Sequence, residues 1–231
     1  MRAEDGNRST VEAITVHVVP TLTHGRVLVR EARAVVRKGI LVGFHGYVEN
    51  ASIQMDRLAA IPGSEAWTLV SIQGLHRFYR GRSEEVVASW MTREDRDEAI
   101  ADNLSYVAAA LEQVPHDSAT RLVYAGFSQG VAMAFRAGLL GGVPAAGIIA
   151  VGGDVPPELI GHSDLAVPAV LFLRGLRDTW LTGERFDRDV ASLTARHVAL
   201  IASTYDGAHE WNAEVSTAIG DFLSRLPSAR V

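Results

Sequence analysis

The chain has 231 residues, a formal net charge of −5 at pH 7 and 48% hydrophobic residues. That is enough to bury one large core, and an acidic balance without a dense Lys/Arg run excludes an electrostatic nucleic-acid footprint. Cysteine is absent, which removes disulfides, thiolate metal sites and a cysteine nucleophile, and the basic residues are nearly all arginine, with Lys38 the only lysine.

The first ten residues mix both charges without an apolar h-region, and no run of ~18 apolar residues occurs elsewhere, so a soluble cytoplasmic protein with no stable membrane insertion is expected. No linker, repeat or compositional break divides the chain, which predicts one domain over residues 1–231. Val11 to Val19 and Arg26 to Val36 are β-rich and flank a turn at Pro20 to Gly25, which predicts an opening antiparallel pair. Gly39 to Phe44 reads as a buried strand, followed by a helix from Ala51 to Ala60 with Asn50 as N-cap and Pro62-Gly63 as its stop. Trp67 to Ile72 is the next strand, and Asp97 to Val114 carries helical periodicity through Ile100, Leu104, Val107 and Leu111.

Between them lies the least patterned stretch, Gly74 to Arg96, a connection too long to be a simple turn. Its apolar members Phe78, Tyr79, Trp90 and Met91 suggest a lid or the wall of a pocket, the alternative being a helical turn packed on the core. Farther on, Arg121 to Ala125 reads as a strand and the residues from Val131 as a helix ending at Gly141-Gly142. Ala145 to Val151, Ala169 to Leu173 and Val198 to Ala202 are further apolar strands, and Glu210 to Leu226 forms the last helix. Strands alternating with helices predict an α/β architecture: a mostly parallel sheet covered on both faces, with functional loops at the strands' carboxyl ends.

The strand-to-helix junction holds Gly126-Phe127-Ser128-Gln129-Gly130. A serine hydroxyl is a weak nucleophile unless a base activates it, and a sharp turn above the sheet edge exposes it to one; glycines on either side permit the close crossing of helix and strand. If Ser128 is the nucleophile, a carboxylate and then a histidine must follow it in the chain on loops at the same edge. Of eight histidines only His162, His197 and His209 follow Ser128, and His209 occupies the turn between the last strand and the last helix. Asp178 follows the strand Ala169 to Leu173 and is the leading carboxylate, with Asp154 and Asp206 as rivals.

The oxyanion of such a reaction needs two backbone donors. Gln129 N–H supplies one, and the loop Gly43-Phe44-His45-Gly46-Tyr47 supplies the other through Tyr47 N–H, with His45 as a structural hydrogen-bonding group. No metal set is predicted: the histidines lack paired spacing, and Glu94-Asp95 with Asp97-Glu98 reads as a charged helix start.

Phe44-His45-Gly46-Tyr47, Gly126 to Gly130, Gly175-Leu176-Arg177-Asp178 and Gly207-Ala208-His209-Glu210 resemble the four motifs of the phospholipase/carboxylesterase family of α/β-hydrolases, which includes acyl-protein thioesterases and small bacterial carboxylesterases. The resemblance spans roughly Gly39 to Leu226. It implies an α/β-hydrolase fold with Ser128, Asp178 and His209 as nucleophile, orienting acid and base, and Tyr47 and Gln129 as the oxyanion hole. Trp90 corresponds to a family tryptophan near the acyl pocket, and His45, Gly46, Phe78, Tyr79, Met91 and Trp180 complete the expected substrate-binding set.

The chain departs from the family where Val48-Glu49-Asn50 replaces a second glycine and an aspartate, where Thr179-Trp180-Leu181 replaces a Val-Pro, and at Ala208, where a glycine often stands. The expected activity is hydrolysis of a small-molecule carboxylic ester or thioester without a cofactor; a homodimer is left open. A serine peptidase, a dienelactone-hydrolase-like enzyme and a non-catalytic binding protein of this fold are the alternatives.

Overall fold

A computed structural model describes residues 14–160 and 165–227. Its strands are β1 (Val27–Arg30), β2 (Gly39–Phe44), β3 (Trp67–Ile72), β4 (His76–Tyr79), β5 (Val86–Ser89), β6 (Leu122–Phe127), β7 (Ala145–Val151), β8 (Ala169–Gly175) and β9 (Leu200–Tyr205). Its helices are α1 (Ala51–Ala59), α2 (Arg96–Glu112), α3 (Gln129–Leu140), α4 (Pro157–Ile160), α5 (Gly183–Ala195) and α6 (Ala213–Arg225).

Seven strands form one sheet in the order β1-β3-β2-β6-β7-β8-β9. All pairings are parallel except β1 with β3. The chain therefore starts near one edge, moves inward to β2, and then winds outward through β6 to β9, so the loops after β2, β6, β8 and β9 open at one edge of the sheet.

Side-chain alternation divides the core. Ile40, Val42, Phe44, Leu122 and Tyr124 pack with Val107 and Leu111 of α2, Val131 and Phe135 of α3 and Phe186 of α5. Leu41, Val123 and Ala125 point to the other face, against Leu58 of α1 and Ile219 and Phe222 of α6. Fully burying side chains of this size contributes about 1.5–3 kcal/mol each, so the inner strands tolerate no register slip. Helix α1 starts where Asn50 accepts from Ile53 N–H, and α6 where Asn212 accepts from Val215 N–H, each satisfying an otherwise unpaired amide.

Several expectations need correction. The antiparallel opening pair does not form within the described residues: β1 pairs with β3, and residues 14–25 carry no strand; Val11 to Ala13 lie outside them, as do the first ten residues. The last strand runs to Tyr205, beyond Ala202, because an edge strand keeps Ser203 and Thr204 exposed and so lacks a continuous apolar run. Its following helix starts at Ala213, beyond the turn that holds His209. Helix α5 was not expected at all, although Thr182 caps it by accepting from Arg185 N–H. Most of the stretch Gly74 to Arg96 is the hairpin β4–β5 and not a helical turn. Among the described residues no helix is long and apolar enough to cross a membrane.

Candidate active site

Ser128 sits between β6 and α3 with φ 52° and ψ −119°, a conformation that costs an L-residue energy and is held by the crossing of strand and helix. Two glycines make that crossing possible: a Cβ on Gly126 would lie 2.3 Å from the Gly130 carbonyl oxygen, and one on Gly130 2.2 Å from that of Phe44. The turn lifts Ser128 Oγ to 2.8 Å from His209 Nε2.

His209 Nδ1 lies 2.8 Å from Asp178 Oδ2, and the Asp178 side chain is fully buried. The other carboxyl oxygen, Oδ1, accepts from the amides of Trp180 and Leu181 at 2.8 and 3.0 Å. With an acceptor-only carboxylate opposite, Nδ1 carries the proton, and Nε2 is left as the acceptor that faces the serine. The His209 ring rests on Phe127, 5.1 Å between centroids, and Trp180 flanks it at 6.1 Å.

The rivals are engaged elsewhere. Asp154 pairs with Arg185 and Asp206 with Arg177, so Arg177 does not pair with its neighbour Asp178. His197 lies in the turn before β9, at the opposite end of that strand from His209, and His162 lies outside the described residues.

The loop that carries Tyr47 is built by a different logic. Among the described residues neither Tyr47 N–H nor Gln129 N–H has a protein acceptor. Their loops are tied down by the hairpin region. Val48 N–H donates to Ala88 O, and Ala88 N–H donates to Glu49 O. Arg80 donates to Val48 O at 2.7 Å, and the Phe78 ring lies 5.9 Å from that of Tyr47.

The Gln129 side chain closes the other side: its Oε1 accepts from Trp90 N–H at 2.9 Å, and its Nε2 donates to Met91 O at 2.9 Å. Glu49 completes the cradle by accepting from Gly46 N–H at 2.7 Å while forming a two-pronged ion pair with Arg57 at 2.6 and 2.7 Å. Val48 holds φ 61°, a left-handed conformation unusual for a β-branched residue, at the stretch where the resembling family has a second glycine.

This geometry revises the expected substrate-binding set. Trp90 is completely buried, packs edge-on against Phe44 at 5.4 Å, and donates through Nε1 to His45 O; it supports the loop and does not line the cavity beside Ser128. His45 is also completely buried. Its Nδ1–H donates to Gly46 O and its Nε2 accepts from Gly74 N–H, and burial lowers its pKa, so the ring is a neutral strut. Phe78 and Tyr79 stand on the exposed hairpin, outside the cavity beside Ser128, and Met91 contributes its carbonyl to Gln129. Gly46 lies in the oxyanion loop itself, where a Cβ would meet Glu49 Oε2 at 2.9 Å and Phe127 at 3.0 Å.

Of the set, Trp180 does line the cavity, a space of about 310 Å³ that also contacts Ser128, Gln129, Arg96, Arg136, Asp154 and Arg185. The Gln129 side-chain clamp was missed by sequence reasoning; its only signal was a hydrogen-bonding residue directly after the serine. Among the described residues no group of three or more His, Asp or Glu side chains is placed to hold a metal ion.

No protein-family model matches the chain. No curated protein sequence matches it either. Solved structures do. Esterase PE8 superposes with a TM-score of 0.74 at 19% identity, over 89% of this chain and all of that one. The Bacillus cereus carboxylesterase superposes with a TM-score of 0.67 at 14% identity, over 88% of this chain and 95% of that one. Zea mays acyl-protein thioesterase 2 matches with a TM-score of 0.67 at 18% identity, over 87% of this chain and 98% of that one. The chain has the α/β-hydrolase fold, and many of its structural neighbours are carboxylesterases and acyl-protein thioesterases.

Proposed function

We propose that the chain is a serine hydrolase of carboxylic esters, working through an acyl-enzyme on a small-molecule substrate. The observation that carries this reading is the hydrogen-bonded series Ser128 Oγ, His209 Nε2, His209 Nδ1, Asp178 Oδ2, with both contacts at 2.8 Å, at a strained strand-to-helix turn. In the reaction Ser128 Oγ attacks the acyl carbonyl as His209 Nε2 takes its proton, and Asp178 stabilises the imidazolium. The carbonyl electron pair moves onto oxygen, where the amides of Gln129 and Tyr47 receive it. The intermediate collapses, the bond to the leaving group breaks, and His209 returns the proton to that group. Water then repeats the sequence on the acyl-Ser128 ester and releases the acid.

The names of the structural neighbours support ester and thioester chemistry as the substrate range. The test is Ser128→Ala: ester hydrolysis should vanish while the variant stays folded, and turnover retained by the alanine enzyme would refute the reading.

A further inference from the structure

The cavity beside Ser128 is not the apolar trough that a long acyl chain requires. At about 310 Å³ it is at the small end of ligand pockets, typically ~300–1,000 Å³. Its lining includes Arg96, Arg136, Arg185 and Asp154 beside the apolar Val155, two prolines and Trp180. On α3, residues 129, 132 and 136 fall on one helical face, so the helix that begins at the nucleophile also carries Arg136 into the same cavity.

Arg136 is almost fully buried, an expensive place for a cation. Its Nε and Nη2 donate to Glu158 Oε1 at 2.8 and 2.7 Å, while among the described residues Nη1 meets only the weakly accepting Met91 Sδ at 3.5 Å. Arg96 donates to the other oxygen, Glu158 Oε2, at 2.9 Å, so one carboxylate serves two guanidiniums. Arg185 pairs with Asp154 and donates to Trp180 O.

The cavity lining thus holds three guanidiniums and one carboxylate, Asp154, with Glu158 paired to Arg96 and Arg136. Asp97 is 3.8 Å from Arg96 but 94% exposed, where solvent screens it, and Asp189, whose Oδ2 accepts from Val155 N–H, is paired with Arg188. Asp178 faces the other way, bound to His209 and two amides.

We infer that this cavity selects short esters bearing a carboxylate, which Arg96, Arg136 and Arg185 bind beside the scissile carbonyl. The inference rests on the hydrolase reading and narrows its substrate class. A carboxylate here accepts charge-assisted hydrogen bonds in a partly desolvated site, where they are stronger than at the surface. It also supplies Arg136 Nη1 with a stronger acceptor than Met91 Sδ.

The test compares kcat/KM for two anionic esters with neutral isosteres. Monoethyl succinate, with its charge on the acyl side, is paired with ethyl 4-methylpentanoate; acetoxyacetate, with its charge on the alcohol side, is paired with isobutyl acetate. At low ionic strength one anionic ester should be preferred by about tenfold or more, and the preferred arm identifies the side that occupies the cavity. The preference should shrink with added salt. It should fall at least several-fold in Arg96→Met and in Arg185→Met, with Arg96→Lys retaining part of it.

Neutral isosteres hydrolysed as fast as or faster than both anionic esters, by an enzyme whose Ser128 reacts with a fluorophosphonate, would overturn the inference and leave the hydrolase reading standing. If Ser128 reacts but no ester of the four turns over, protection of that labelling decides the question. Monoethyl succinate or acetoxyacetate must then protect better than its isostere, or the inference fails. A Ser128 inert to the fluorophosphonate, with no hydrolysis, removes the hydrolase reading and the inference together.

Discussion

The two halves of the catalytic edge are held by different means. Ser128, His209 and Asp178 sit on three loops and align through their own side chains, with Asp178 fixed by the amides of the turn that follows it. Tyr47 and Gln129 instead present backbone amides, which cannot orient themselves. Their alignment is imposed from outside by residues 74–91, through Ala88, Trp90 and Met91 and the rings and guanidinium of the hairpin. In the proposed reaction, proton transfer is therefore organised locally, and oxyanion binding by the separate segment 74–91. Substitutions in the first group should strike chemistry almost alone, and those in the second should couple catalysis to the stability of the clamp.

The largest expected effect sharpens the first half. Asp178→Asn should place the wrong His209 tautomer opposite Ser128 and lower kcat by about 10⁴, the loss that the equivalent change causes in a well-studied serine protease. Asp154→Asn and Asp206→Asn, which disconnect only Arg185 and Arg177, should each cost far less on a neutral ester. A crippled Asp154→Asn enzyme beside a robust Asp178→Asn enzyme would reassign the acid to the preceding loop.

Gln129→Ala probes the second half because it keeps the amide and removes its clamp. Loss of a whole oxyanion donor costs about 10²–10³ in kcat, so loosening one should cost roughly 10–100-fold. Unpairing Trp90 N–H and Met91 O should also lower stability by about 1–3 kcal/mol. Rates normalised to titrated active sites, together with thermal melts, separate the two effects; an unchanged kcat per site would make the clamp purely structural.

The strut between the Tyr47 loop and Gly74 gives a pH signature. Burial lowers the pKa of His45, so its contribution to stability is fully present above the unfolded value near 6.5 and is lost as pH falls toward the folded value, because the unfolded chain takes up a proton that the folded ring refuses. Melting temperature should therefore decline below about pH 6.5, and less steeply in His45→Gln. Identical acid profiles for the two proteins would argue against a buried neutral ring.

The smallest effect concerns Val48. Its left-handed backbone costs roughly 1–3 kcal/mol, against about 0.5–1 kcal/mol of extra chain entropy lost by glycine. Val48→Gly should thus raise stability by about 1 kcal/mol, and a lowered melting temperature would show that the loop carries no such strain.

The same division governs what could be read from the sequence. Apolar runs such as Gly39–Phe44 and Ala145–Val151, buried on both faces, announce themselves by composition, and Gly126 to Gly130 signals a sharp turn through its glycines. Asp178 and His209 are legible by position after a strand and by chain order, and the structure sets Asp178 against His209 and His209 against Ser128. The hairpin escaped because each of its strands is only four residues long and the first is wholly exposed, so no sustained apolar run or alternation marks them. Trp90 misled for a related reason: sequence shows a large aromatic near a catalytic loop, but not that its ring points inward against Phe44. The arginine-lined cavity was not legible either, since Arg96, Arg136 and Arg185 converge from α2, α3 and α5 only once those helices cover the sheet.

The central claim, that Ser128 is the nucleophile, is tested most directly by titrating the enzyme with a fluorophosphonate and mapping the adduct by peptide mass spectrometry. The account predicts modification at Ser128, with ester hydrolysis lost in proportion to the fraction of Ser128 modified. Full modification of Ser128 with hydrolysis intact, or activity lost through an adduct on another residue, would contradict it.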